Sequence, residues 1–241
     1  MTELENVYFP NTKKVALSLS GGLDSTTLLY MLNHKYGAEN VHAISFYYQQ
    51  KQSYELEVAK KSCDKLGINH QLVDVSFLGD ISKGVSSNIQ GSNIKVPTII
   101  EALGNPQVVS YIPFRNLLFS SMLLSFAEAN DCGAIALGLN SNDQYNYWDT
   151  TPEFVDSLQN VVNLNRLNKI EIFTPLVSLN KTEELKIGLA LDCDYSLSLT
   201  CYDADENGVS CGVCASCAER IMAFKNLNLV DPVPYSKEIS W

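Results

Sequence analysis

Apolar runs of four to eight residues alternate along the chain with amphipathic stretches. Lys13-Lys14 lead into VALSLS, an apolar run that stops at Gly21-Gly22. STTLLYMLNHKYG follows, with Leu28, Leu29, Met31 and Leu32 at helical spacing and Gly37 closing it. This order reads as strand, glycine turn, helix and C-cap. VHAISFYY predicts a second strand, and QQKQSYELEVAKKSCDKLG a helix with Leu56, Ala59, Cys63 and Leu66 on one side. NHQLVDV predicts a third strand.

From Phe77 to Ser110 the pattern fades into Gly, Ser, Asn and Pro, a long polar insertion expected to be partly mobile. YIPFRNLLFSSMLLSFAEAND then reads as a turn entering a buried helix, and AIALGLN as another strand. SNDQYNYWDT lies at that strand's end. A helix is predicted from Pro152 to Leu164, a short strand in IEIFTPL, and a further helix in NKTEELKIGLALDC with Lys181, Thr182 and Glu183 near its start. Such alternation predicts an α/β fold: a parallel, Rossmann-like sheet with helices on both faces and ligand sites beyond the carboxyl ends of its strands. The expected division is a nucleotide-binding domain over 1–190 and a small C-terminal region over 191–241.

Composition narrows the classes. The stretch from Asn116 to Ala127 has little charge but is too short to span a bilayer. The opening MTELENVYFPNTKK has no basic segment leading into an apolar one, so the expected compartment is a reducing cytoplasm, with no membrane partner. A formal net charge of −10 argues against a general nucleic-acid surface, while leaving room for a basic pocket around one nucleotide. Seven cysteines are an odd number for a disulfide framework. Four of them fall between Cys201 and Cys217, which in a reducing setting suggests a metal; Cys63, Cys132 and Cys193 read as small core residues.

SGGLDST stands between a predicted strand and a predicted helix, where side-chain-free backbone lets several N–H groups converge on an anion. A plain tight turn with Ser20 or Ser25 as a helix cap would use the same residues. There is no Walker lysine and no GxGxxG spacing. In the tail, Cys201, Cys211, Cys214 and Cys217 are spaced C-x9-C-x2-C-x2-C, with Gly208 and Gly212 placed for tight turns. Four thiolates fill a tetrahedral zinc shell and leave no place for a bound water, so the zinc would be structural. An iron–sulfur cluster uses the same ligands; zinc is preferred because nothing else in the sequence implies electron transfer.

The SGGxDS loop resembles that of the PP-loop ATP pyrophosphatase superfamily. There Ser18, Leu19, Ser20, Gly21, Gly22, Leu23, Asp24, Ser25 and Thr26 would hold the pyrophosphate of ATP, with Asp24 helping to position Mg²⁺. Together with Thr200-Cys201-Tyr202 and the run from Cys211 to Arg220, the loop is similar to the 7-cyano-7-deazaguanine (preQ0) synthase family, over about Val15 to Arg220. IPFRN parallels that family's (V/I)PGRN turn; FTPL and Lys181-Thr182-Glu183 parallel its TPL…K(T/A)E segment. The resemblance implies a PP-loop sheet, ATP with Mg²⁺, structural Zn²⁺, ammonia and a 7-deazaguanine acid as substrates, and catalytic roles for Asp24, Ser25, Arg115 and Lys181. It leaves a homodimer open.

The sequence departs from the family where the second substrate would lie. The family's D-x-S-G-Y-P-D-C-R stretch is Asp143 to Thr151 here, keeping Asp143, Tyr147 and Asp149 but carrying Asn146, Trp148, Thr150 and Thr151. F-x-Y-G-Q-(R/K)-H has become Phe46 to Gln52, and the glycine of the PGRN turn is Phe114. Tyr47, Asn116, Asp143, Tyr147 and Asp149 are the expected substrate contacts. The implied reaction adenylates the acid, forms the amide with ammonia and dehydrates it to the nitrile. Ending at the amide, conjugation to another acceptor such as a protein amine, a tRNA thiolase and a non-catalytic nucleotide-binding module are the alternatives.

Overall fold

The computed structural model describes residues 7–102, 105, 108–141 and 147–241. Its frame is one parallel sheet of β1 (Val15–Ser18), β2 (Val41–Tyr47), β3 (Asn69–Asp74), β4 (Ala134–Leu137) and β5 (Glu171–Phe173), in the order β3-β2-β1-β4-β5. Ser18 pairs with Ile44 on one side and with Leu137 on the other. The chain leaves β1 first toward β2 and later returns to β4, so the strand order reverses at β1 and opens a crevice beyond its carboxyl end.

The central strands are apolar on both faces because helices cover both. Ala16, Ile44, Phe46, Ile135 and Leu137 pack on Leu123 and Ala127 of α5 (Arg115–Ala129) and on Phe154 and Leu158 of α6 (Pro152–Val162). Their neighbours in sequence, Val15, Leu17, Val41, Ala43, Ala134 and Ala136, face the opposite layer. That layer is α1 (Leu23–Tyr36), α2 (Tyr54–Leu66) and α7 (Lys181–Ala190), contributing Leu28, Leu29, Met31, Leu32, Ala59, Cys63 and Ile187. Cys63, Cys132 and Cys193 are buried, free thiols.

Local chemistry sets the helix starts. Thr151 accepts from the Phe154 N–H ahead of Pro152 at the start of α6. Asn180 and Glu183 form a capping box on α7, so Glu183 of the Lys-Thr-Glu triplet has a helix-starting role. Phe114 precedes α5 in left-handed backbone (φ 53), a conformation that costs a non-glycine residue about 1–2 kcal/mol. Glycine fills that position in the motif it resembles.

Between Phe77 and Ser110 the chain forms two short helices, α3 (Phe77–Ser82) and α4 (Ile99–Ala102), around a buried middle of Ser86, Ser87, Asn88 and Ile89. Ser87 N–H donates to Val109 O at 2.7 Å, Gln90 N–H to Gln49 O at 2.7 Å and Asn88 Nδ2 to Ser110 O at 3.2 Å. The polar composition here supplies partners to an irregular backbone that has no ladder of its own. Among the described residues no helix is long and apolar enough to cross a membrane.

The tail adds α8 (Ala215–Asn226), which the cysteine spacing had hidden from the sequence pattern. Ala223 and Phe224 join Leu23, Tyr30, Leu185 and Tyr195 in a core shared by α1, α7 and α8. Arg220 of this helix is 2% exposed. It grips Asp231 through Nε at 2.6 Å and Nη2 at 2.9 Å, and donates to Ser198 Oγ, Thr200 Oγ1 and Tyr195 O. Breaking such a pair from one side strands a buried charge. Arg220→Ala should therefore lower unfolding free energy by about 3–5 kcal/mol, read as a fall in the urea midpoint. A loss below about 1 kcal/mol would mean the pair is screened in solution.

Candidate active site and cysteine cluster

The crevice at the end of β1 is a pocket lined by the loop after β1, the ends of β2 and β4, the first turns of α2, α5 and α7, and the segment 199–202. Residues 18–20 and 22–25 of the expected nucleotide loop line it. Gly21 sits at φ 88, and an added Cβ would lie 2.2 Å from the Glu55 carbonyl oxygen, so only glycine lets the loop lie against α2. Thr26 is fully buried behind the loop. Gly21 N–H donates to Ser25 Oγ at 3.2 Å, Gly22 N–H to Ser20 Oγ at 3.2 Å and Leu23 N–H to Thr200 Oγ1 at 3.3 Å. These bonds are long, and a phosphate oxygen would make shorter, charge-assisted ones to the same amides at the start of a fourteen-residue helix.

Lys181 Nζ lies 2.6 Å from Asp24 Oδ2, tying the start of α7 to the start of α1 across the pocket. Glu184, one turn along α7, is fully buried and accepts from Asn140 Nδ2. Burial, then the adjacent Asp24 carboxylate, pushes its pKa well above the usual carboxylate range. Glu184 Oε2 and Asp24 Oδ1 are otherwise two buried acceptors without a donor. A proton held on Glu184 and donated to Asp24 satisfies both.

Arg115 and Asn116 open α5 on the far wall. Arg115 Nη1 is 3.4 Å from Tyr48 Oη, and its guanidinium stands 5.9 Å from that ring's centre. Burial works against its charge, but Tyr48, Asp149, Tyr202 and Tyr147 outweigh this and raise its pKa. Asn116 is occupied by Asp149, donating from Nδ2 to the Asp149 carbonyl at 3.1 Å. Asp149 is 2% exposed and shares a smaller cavity with Arg115, Tyr147 and Tyr202; burial raises its pKa against the pull of Arg115.

The expected substrate contacts separate here. Tyr147 and Asn116 line the main pocket, Asp149 lines the smaller one behind it, and Asp143 lies outside the described residues. Tyr47 lines neither cavity. Side chains alternate across a strand, so Phe46 and Tyr48 share the face that reaches the pocket while Tyr47 turns away. Of the residues that depart from the family pattern, Trp148 donates from Nε1 to Tyr111 Oη at 2.8 Å and packs edge-on against Phe114, whereas Thr150 lines the pocket.

Gln52, Glu55, Thr200, Tyr202, Ser216 and Glu219 also line the pocket; the sequence marked Thr200, Tyr202, Ser216 and Glu219 only as part of the cysteine signature and Gln52 only as a departure from the family, and did not mark Glu55. Glu55 is buried in the first turn of α2 and receives a hydrogen bond from Gln50 Nε2 at 3.1 Å. Burial pushes its carboxyl up to about 8, against the pull of Gln50 and Arg115. Its place in an i, i+3, i+4 pattern was the available signal: a charged residue on the inward side of a helix.

The four tail cysteines converge. All four sulfurs lie within 4.8 Å of one another, and the pairs 211–217 and 201–214 are 4.0 Å apart. Sulfurs at the corners of a tetrahedron around one zinc would be about 3.8 Å apart, from bonds of about 2.3 Å. Backbone N–H groups of Asp203, Cys211, Cys214 and Cys217 point at sulfurs of the set at 3.2–3.4 Å, the arrangement that steadies thiolates. Gly208 and Gly212 take φ 78 and 74 in the turns between them. The group fits a single metal ion.

This sheet, with its glycine loop at the switch point, is the PP-loop ATP pyrophosphatase fold. A solved structure with the same fold is the NMN synthetase of Francisella tularensis, at TM-score 0.50 and 16% identity, covering 91% of this chain and 79% of that one. Residues 14–228 match the family described as Queuosine biosynthesis protein QueC, and the chain belongs to that family. It is 38% identical over 230 residues to the 7-cyano-7-deazaguanine synthase of Caldicellulosiruptor saccharolyticus, covering 95% of this chain and 98% of that protein. It is 39% identical over 231 residues to the enzyme of that name from Citrifermentans bemidjiense, covering 93% and 99%.

A carboxyl whose pKa is higher in the folded than in the unfolded chain binds more protons when folded, so stability falls as pH rises from the ordinary value toward the raised one. For Glu184 that window begins at about 4.5 and extends well above it. Glu184→Gln keeps the hydrogen bonds of the protonated acid and cannot ionise. It should match wild type at pH 5 and melt higher at pH 8; equal melting at both values would show that Glu184 is ionised in the native state.

Proposed function

We propose that the chain is an ATP-dependent ligase that converts 7-carboxy-7-deazaguanine to the 7-cyano compound with ammonia as the nitrogen source. The observation that carries this reading is the meeting, in one pocket, of the loop amides with Lys181 and Arg115, in a chain similar throughout to proteins named 7-cyano-7-deazaguanine synthase. A carboxylate is a poor electrophile because oxide would have to leave. Transfer to AMP supplies a leaving group, and the loop amides, Lys181 and Arg115 offset charge on the departing pyrophosphate. Asp24 holds Lys181 in position. Mg²⁺ enters this reading as the counter-ion of ATP, with Asp24, which lines the pocket, the residue that would help to position it.

Tyr147 and Asn116 supply the wall against which the base would lie, with Asp149 fixing Asn116. Asp143 is a further candidate for the N–H edge of the base. The cysteine cluster would hold Zn²⁺ as a structural ion: in a four-iron cluster each thiolate binds a different iron, which spreads the sulfurs farther than four thiolates gathered around one ion. A second reading, ending at the amide, is favoured by Thr150, which lines the pocket where the family motif has cysteine. Dehydration requires the amide oxygen to be turned toward a second ATP, and a changed wall alters that orientation.

Mass spectrometry of the products from ATP, ammonium and 7-carboxy-7-deazaguanine tests the function. Nitrile supports the full reaction, accumulating amide the shorter one, and no product with any deazaguanine acid removes the substrate class. Asp24→Ala and Ser25→Ala should abolish turnover while leaving a folded protein with a cooperative melt; near-native turnover in both would remove the loop's role. Elemental analysis should find one zinc per chain. Iron with sulfide would replace zinc in this account.

A further inference from the structure

The pocket holds a second polar group, on the side of the phosphate loop opposite Lys181. Gln52 is 5% exposed, lines the pocket, and its Oε1 has no hydrogen-bond partner. Glu55 stands three residues on, at the start of α2, against the Gly21 backbone. Its Oε1 accepts from Gln50 Nε2, itself fixed by donation to Phe46 O at 3.2 Å and acceptance from Tyr48 N–H at 2.9 Å. No hydrogen bond to Glu55 Oε2 occurs among the described residues, and Glu55 too lines the pocket. Two acceptor oxygens on pocket-lining side chains beside the loop, that of Gln52 buried, call for a small donor of N–H bonds.

We propose that Gln52 Oε1 and Glu55 Oε2 form the ammonium site, with Glu55 the base that frees the nucleophile. This rests on the ligase reading above and specifies where its nitrogen enters. Ammonium donates one N–H to each oxygen, and the Glu55 carboxylate takes one proton, leaving ammonia. The nitrogen lone pair forms a bond to the acyl carbon of the adenylate; the carbon–oxygen bond to the phosphate breaks and AMP departs with that electron pair. The surplus proton on nitrogen passes to the departing phosphate, and Glu55 returns its own proton to solvent. An amide side chain does not titrate, so Gln52 binds without taking the proton. A carboxyl raised to about 8 is matched to accepting a proton from ammonium and releasing it near neutral pH.

Glu55→Gln separates this role from the others. The experiment compares wild type, Glu55→Gln and Gln52→Leu in three assays with 7-carboxy-7-deazaguanine: ATP–pyrophosphate exchange without ammonium, amide formation against ammonium concentration, and hydroxamate formation from hydroxylamine. Hydroxylamine is already neutral at pH 7 and needs no base. Glu55→Gln should keep exchange and hydroxamate formation within about threefold of wild type while kcat/KM for ammonium falls about 100-fold, within the range for a lost general base. Gln52→Leu should raise the KM for ammonium with kcat little changed, and its exchange reports that it is folded. The site is overturned if Glu55→Gln keeps its ammonium kcat/KM, loses ammonium and hydroxylamine equally, or loses exchange. Wild type without acid-dependent exchange defeats the ligase reading itself; wild type with exchange but unaffected variants defeats the ammonium site alone.

Discussion

Arg220 holds the architecture to its site. Its guanidinium lies between Asp231 of the tail and the segment 198–200, which also touches the phosphate loop: Leu199 N–H donates to Gly21 O at 2.8 Å, and Thr200 Oγ1 accepts from Leu23 N–H. The next residue, Cys201, belongs to the cysteine cluster, and Cys214 and Cys217 sit at the start of the helix that carries Arg220. A metal held by the cysteines would therefore tie the segment 198–201 to the start of that helix, and the segment touches the loop. Small metal sites contribute folding free energy of this kind because their ligands are scattered in the unfolded chain.

A chain of net charge −10 would take an anionic ligand such as ATP only where local electrostatics offset that charge. Among the described residues lining that pocket the cations are Arg115 and Lys181. Glu184 behind the loop is buried deeply enough that its neutral form persists above the ordinary carboxylate range. Protonation removes negative charge from the walls where phosphates would lie and keeps Lys181 paired to a single carboxylate. The acidic residues elsewhere are mostly exposed and screened.

Much of this was legible in the sequence. The strands β1, β2 and β4 and the helix after Gly21-Gly22 followed from apolar periodicity, because both faces of the central sheet are buried. The cysteine set followed from spacing and density alone. Other features were hidden for definite physical reasons. The helix Ala215–Asn226 begins inside the cysteine motif, so metal spacing masked helical spacing. Tyr48 lines the pocket and Tyr47 does not, because which aromatic faces the crevice depends on where β2 ends, and that is set by sheet register. Glu55 and Glu184 read as ordinary helix charges; their burial comes from contacts with Gly21 and Asn140, far away in the chain. The polar run after Phe77 conceals a folded middle because serine and asparagine there serve the backbone.

The central claim, that the pocket joins AMP to a carboxylate, can be read from one atom. With 7-carboxy-7-deazaguanine labelled with ¹⁸O in its carboxylate, attack on the α-phosphate leaves one labelled oxygen in AMP when the acyl group moves to nitrogen. Phosphorus NMR of the nucleotide should show the isotope-shifted AMP resonance, with unlabelled pyrophosphate. Label in inorganic phosphate, with ADP in place of AMP, would contradict the account.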